Sequence, residues 1–479
     1  MYKKVLSCVL AISLAFCISA KEKSIKQQIH EDFLYFKECI TQAYVNYDEA
    51  KKEYGFDIDD CIKEAEKMYL KKSGRSKEID RVLISYCLNT YFYDHLGFVD
   101  EHFGIKAQSD FVNYFDRNYA NFTNIFFEKK DDDFFVYSSD ELKIRKNDKY
   151  TGNQDSLKKC IHDGKILYRY IVMDKSDLTE TEISINGNTY KIKCFFDGYA
   201  NKEDWFTFKE TDKSLYFALK DCMYIPDALH QEEYNKITEQ LISISPEKNI
   251  ILDLRSNMGG DKHLLEELLI PMFYKVEYKD FNNYNTLSNI VYSGSKTLNS
   301  LMISEAKLKN ALKYNYSLES MAYFKNEVEE QKKNPKRYYS GLENLGYNFL
   351  PQNGNEKLNG TLYILLDRST ASAAEHGIAF SYLFNRDKVV LIGTNSCGAL
   401  ESGGAYTYTL PNSKVEIELP SRDYRKSTLL INNPHWNGDS KGFYPDYWTT
   451  NEDLIPTLQI LTGDDSVPAI LDGIKNGQL

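Results

Sequence analysis

Two segments constrain this chain most: NIILDLRSNMGG, ending at Gly260, and TLYILLDRSTASAAEHG, which sets Ser372 between two alanines at the start of an expected helix. Each is an apolar strand, Ile250 to Leu254 and Leu362 to Leu366, running into a turn. In open α/β sheets, ligands and catalytic groups collect at the carboxyl ends of strands. A serine held there can act as a nucleophile. The surrounding pattern alternates: strand SLYFALK, helix HQEEYNKITEQLISI, strand NIILDLR, helix KHLLEELLIPMF, strand TLYILLD, helix SAAEHGIAFSYLF and strand KVVLIG. Such alternation predicts crossover connections and a largely parallel core.

At 479 residues the chain exceeds what one hydrophobic core fills, so two or three domains are expected. Residues 21–130 are read as an N-terminal helical cap domain, because EDFLYFKECITQAYVNY and IDRVLISYCLNTYFYDHL repeat apolar residues at three- and four-residue spacing. Residues 131–213 shift to short alternating runs, with Asn186-Gly187 as a hairpin turn, and predict a small β-rich domain. Residues 214–479 form the α/β domain, interrupted at 284–348 by a polar insertion with a helical middle, read as a lid or a partner surface. Past Gly398, AYTYTLPNSKVEIELP predicts a further hairpin, and DLIPTLQILT a closing helix.

Residues 1–20 place Lys3 and Lys4 before the apolar run VLSCVLAISLAFCISA, the pattern of a secretory signal cleaved after Ala20. Export to the periplasm or the exterior is expected. Lipoprotein anchoring through Cys17 is the lesser alternative, because bulky Phe16 precedes that cysteine. The formal net charge is −11 with acidic residues dispersed and no dense Lys/Arg block, which argues against nucleic acid as a partner. Beyond the leader, Cys39, Cys61, Cys87, Cys160, Cys194, Cys222 and Cys397 show no CxxC spacing, so no metal site is expected, while one or two disulfides stay open.

Acyl transfer by serine needs an activated hydroxyl, a base, and donors aimed at the developing oxyanion. Ser372 at a helix N-terminus meets the first need, the Ala373 amide points the same way, and Gly259 and Gly260 end another strand where a second amide could be presented. Each feature also has an ordinary reading: Ser372 with Glu375 makes a capping box, and a double glycine makes a turn.

DLRSNMGG resembles the D-L-R-x-N-x-G-G signature of the C-terminal processing, or tail-specific, serine peptidases, and DRSTASAAE resembles their S-A-S-A-S-E nucleophile segment. VVLIGTNSCGAL and GFYPD continue the similarity in the same order. The resemblance implies an α/β catalytic core built as a ClpP/crotonase-like spiral of βαβ units, no cofactor or metal, polypeptide substrates, and Ser372 as nucleophile. Main-branch relatives use a lysine in G-K-G as base, and Ala399 stands at that position. The tricorn-like branch uses a histidine from an upstream segment with an acidic partner before G-x-x-P-D. FVDEHFGI resembles that segment, which implies His102 as base, Asp439 as the acidic partner, and Glu101 in a supporting position. His95 is the chief competitor for the base, while His263 and His376 adjoin the motifs without a role. Many relatives carry a PDZ module where the β-rich domain lies here, but a carboxylate-binding loop is not evident.

Three other readings share these features: a catalytically inactive binding protein on the same fold, an α/β esterase, and an exported interaction protein whose helical insertion is the functional surface. The esterase elbow G-x-S-x-G is missing around Ser372, which favours peptide hydrolysis.

Overall fold

The structure is a computed structural model and describes residues 23–74, 76, 78–96, 100–106, 118–198, 204–222, 228–261, 264–266, 268–269, 299–313, 318–334, 358–382, 386–425, 427–431 and 433–471. The signal-like segment 1–20, His263 and much of the 284–348 insertion lie outside the described residues.

A six-stranded sheet forms the centre. Strands Ser214–Leu219, Asn249–Asp253, Leu362–Leu366, Val389–Gly393 and Tyr447–Trp448 lie side by side in chain order, all parallel, and Phe206–Glu210 adds one antiparallel edge. The central strands are apolar at nearly every position because both faces are covered. On one face Phe217, Leu252, Ile364 and Leu391 pack against Leu241, Leu265, Ile378 and Phe380 from the crossover helices. On the other, Tyr216, Ile251, Tyr363 and Ile392 meet Leu454, Leu458, Val467 and Ile470 from the two C-terminal helices. Successive residues of one strand thus serve opposite cores, as a period of two requires.

The N-terminal helices Ile25–Ala43, Tyr47–Tyr54, Ile58–Ser73 and Arg81–Leu96 share a core built on Phe33, Phe36, Phe56, Leu88 and Phe92. That core does not close on itself. Leu410, Val415, Ile417 and Leu419, from the hairpin formed by Ser402–Thr409 and Glu416–Asp423, complete it. Phe103 stacks on Phe92 at 4.0 Å between ring centres. The short strand Gly104–Lys106 then pairs antiparallel with that hairpin, Ile105 opposite Ile417. Helix Ser300–Lys313 of the insertion joins the same core through Ile303 and Ala306.

The β-rich region starts earlier than the sequence pattern predicts. Tyr119–Lys130 is a 12-residue strand at the centre of a sheet with Asp133–Ser139, Lys165–Asp174 and Phe195–Phe196, so 118–130 belongs with 131–198 rather than with the helices. Its burial is nearly continuous, which hides the alternation. The hairpin at Asn186-Gly187 forms as its turn residues require, both with positive φ. All seven cysteines from Cys39 to Cys397 are free and buried.

Leu252 lies in the middle of the central sheet, fully buried, whereas Leu142 is 98% exposed. Leu252→Ala should cost about 2–5 kcal/mol in urea unfolding, and Leu142→Ala should stay within about 0.5 kcal/mol.

Candidate active site

Three consecutive parallel strands end on the same side, and the turns that follow them, 254–260, 367–372 and 394–399, meet there. The first two turns are tied together. Thr370 Oγ1 donates to the Leu254 carbonyl at 2.8 Å, the Ala371 amide donates to the Asn257 carbonyl at 2.9 Å, and the Asp367 carboxylate accepts from the amide and hydroxyl of Ser256. Behind them Arg255 makes a buried two-pronged pair with Asp253, at 2.7 and 3.1 Å, and Tyr216 Oη donates to the same carboxylate. The Asp and Arg of DLRSN therefore build the turn and face away from chemistry.

Ser372 sits at φ 52° and ψ −114°, a conformation rarely adopted by residues other than glycine. The cost is offset by Glu375, the third residue of the helix Ala373–Ser381. Its carboxylate is wholly buried and accepts four hydrogen bonds: from the Ser372 amide at 3.0 Å, Ser396 Oγ at 2.5 Å, the Gly398 amide at 2.7 Å and the Ala399 amide at 2.7 Å. Burial pushes its pKa up and these bonds pull it back. The expected capping glutamate thus also clamps the third turn onto the nucleophile turn.

His102 Nε2 lies 3.0 Å from Ser372 Oγ. The imidazole arrives from the N-terminal region, two residues before the strand that pairs with Glu416–Glu418. Burial lowers its pKa, opposed by the charges of Asp100 and Glu418. His95 is exposed on its helix with Nδ1 2.7 Å from the Tyr91 carbonyl, and the His376 imidazole pairs with Glu266 at 2.7 Å in a buried contact; neither imidazole bonds Ser372.

Of the amides expected to face an oxyanion, that of Gly259 already donates to Asn257 Oδ1 at 2.9 Å. Those of Gly260 and Ala373 have no acceptor among the described residues. Gly259 serves the site through its missing side chain: at φ 94°, a Cβ there would stand 2.8 Å from the Ala373 nitrogen and 2.8 Å from Ser372 Cβ.

Asp439 does not bond His102. Its Oδ1 accepts from the amides of Leu400 and Glu401 at 3.0 and 2.9 Å, and burial followed by the charge of Glu401 pushes its carboxyl well above the usual range. Among the described residues, the hydrogen-bond partner of the other imidazole nitrogen is Ser402, with Oγ 3.5 Å from Nδ1. Ser402 donates to Asp100 Oδ1 at 2.6 Å. No local signal marks Ser402, since it meets His102 across 300 positions of chain.

A serine hydroxyl against an imidazole, at the carboxyl ends of a parallel sheet, defines a serine hydrolase class of site. Residues 222–428, which hold Ser372, match the model of peptidase family S41. No curated protein matches the sequence. Among solved structures, mature CPAF complexed with lactacystin is similar at 14% identity, covering 92% of this chain and 100% of that one, with a TM-score of 0.43. The photosystem II D1 C-terminal processing protease is similar at 12% identity, covering 94% and 100%, with a TM-score of 0.37. The tricorn protease is similar at 13% identity, covering 94% of this chain and 37% of that one, with a TM-score of 0.32. Likenesses this distant add nothing to the site assignment.

Two substitutions test this geometry. Gly259→Ala should lower kcat by about 100-fold in peptide hydrolysis, the scale of losing one oxyanion donor, because its methyl crowds the Ala373 amide. Glu375→Gln turns an amide NH2 toward the converging donors and leaves at least one of them unpaired, so urea unfolding should show a loss of about 1–3 kcal/mol or more.

Proposed function

We propose that this chain hydrolyses peptide bonds in polypeptides through an acyl-enzyme in which Ser372 attacks and His102 is the base. The observation that carries this reading is the 3.0 Å approach of His102 Nε2 to Ser372 Oγ. Neutral His102 takes the Oγ proton as the hydroxyl adds to the scissile carbonyl, and the imidazolium returns it to the departing amine. Water, deprotonated by the same nitrogen, then releases the acid and restores Ser372. The Ala373 and Gly260 amides suit the oxyanion, being close to the nucleophile turn and without other acceptors among the described residues.

Ala399 offers a methyl group where main-branch relatives carry the catalytic lysine, and its amide is committed to Glu375. This favours the histidine-based branch. Asp439 enters the mechanism by holding the Leu400 and Glu401 amides, which fixes the segment leading into Ser402. A carboxyl pushed toward its neutral form is better suited to that structural part than to countering an imidazolium.

The chain-order sequence of parallel strands supports a ClpP/crotonase-like spiral for the core. The leader-like segment 1–20 supports action outside the cytoplasm, with helix Ser300–Lys313 of the insertion docked on the N-terminal helices beside the hairpin.

The test is hydrolysis of an unfolded protein by the purified chain. Ser372→Ala and His102→Ala should each reduce kcat by about a thousandfold or more while circular dichroism stays unchanged. Because the base works unprotonated and burial depresses its pKa, kcat/KM should rise through an acid limb below about pH 6.5 and level off by neutrality. Absence of hydrolysis by the wild type, together with an unreactive Ser372, would make the chain a binding protein on a peptidase fold.

A further inference from the structure

We infer that Ser402 and Asp100 are the positioning pair for His102, with Ser402 Oγ as the direct partner of Nδ1 and Asp100 as the carboxylate behind it. The inference rests on the Ser372/His102 reading above and replaces Asp439 as the group that fixes the imidazole.

Asp100 is 1% exposed, yet each of its oxygens is doubly satisfied. Oδ1 accepts from Ser402 Oγ at 2.6 Å and from the His102 amide at 3.2 Å. Oδ2 accepts from Tyr44 Oη at 2.7 Å and from Asn46 Nδ2 at 2.8 Å. Four donors and no acceptor around a carboxyl is the surrounding of an ionised carboxylate. Asn46 is in turn held by Arg425, whose Nη2 donates to Asn46 Oδ1 at 2.8 Å.

The direction of the Ser402 proton decides the tautomer. With its hydrogen given to Asp100, Ser402 Oγ presents only lone pairs to His102 Nδ1 at 3.5 Å. Nδ1 must then carry the hydrogen, and Nε2 is left as the acceptor facing Ser372. The distance is at the outer limit of a hydrogen bond, as is common in unliganded sites that tighten on binding substrate. When Nε2 gains the Ser372 proton, the imidazolium is linked through one hydroxyl to a fixed negative charge. The Tyr44 and Asn46 contacts explain why the N-terminal helices are part of the site.

Other ionisable groups around the imidazole are Glu418 and its partner Lys106 on the paired strands, Tyr93 on the preceding helix, and the neighbouring Glu101, Glu401 and Asp439. Of the carboxylates, Asp100 and Glu418 are those whose charge raises the His102 pKa against the effect of burial.

The experiment compares Ser402→Ala, Asp100→Asn and Asp439→Asn in the full chain, by pH-resolved kinetics on a fluorogenic peptide and by ¹⁵N NMR of the labelled histidines. In the wild type, His102 should be the Nδ1–H tautomer. Ser402→Ala and Asp100→Asn should each lower kcat by about 10- to 1000-fold, less than the roughly ten-thousandfold seen when a directly bonded triad aspartate is neutralised, with KM within about twofold. Both should mix the tautomers. Asp100→Asn should also move the acid limb to lower pH, since it removes a charge that favours imidazolium. Asp439→Asn keeps an oxygen for the two amides and should lose less than Asp100→Asn. Unchanged tautomer and kcat in folded Ser402→Ala would overturn the inference, as would a larger loss in Asp439→Asn than in Asp100→Asn. If Asp100→Asn fails to fold, Ser402→Ala decides alone. A tautomer that depends on Ser402 in a wild-type chain without hydrolysis would sustain the positioning pair and refute the peptidase reading instead.

Discussion

The antiparallel pairing of Gly104–Lys106 with Glu416–Glu418 is the contact on which the site depends. It carries His102 from the helical region to a serine 270 positions later in the chain. Three residue pairs would be a weak anchor alone, because short strands gain little from their hydrogen bonds once water is displaced. The strength comes from what they bury. Phe103 and Ile105 enter the same core as Phe92, Ile417 and Leu419, so the imidazole is positioned by a hydrophobic cluster shared between the two ends of the chain.

The serine side of the site is rigid for a different reason. Parallel strands buried on both faces leave their carboxyl ends as the place where backbone groups lack sheet partners, and the turns there satisfy one another. Asn257, Thr370 and Asp367 bind the first two turns, and Glu375 binds the second to the third. The unusual backbone of Ser372 persists because these contacts over-determine it. Polar residues that look redundant in the motif, such as Asp253 and Arg255, hold the shape of the turn.

How much of this was legible in the sequence follows from how far apart the partners lie. The strands around Ile251 and Ile364, the helix after Ser372 and the 402–423 hairpin were all legible, because apolar runs and turn residues are local signals. His102 was distinguishable from His95 only through the motif around it, since nothing local marks either as a base. Ser402 and Asp100 meet across 302 positions and left no pattern to read. The strand from Tyr119 was obscured because its near-continuous burial removes the alternation that would announce it. The boundary placed at residue 131 therefore fell inside a sheet.

The whole arrangement stands or falls on Ser372 as a nucleophile activated by His102. Its most direct test is the rate at which a fluorophosphonate labels the purified chain, with the adduct located by mass spectrometry of the peptide containing Ser372. A single adduct on Ser372, forming at least about a hundredfold more slowly in His102→Ala, is the result predicted from the loss of a general base. Labelling at another serine, or an equal rate without His102, would contradict it.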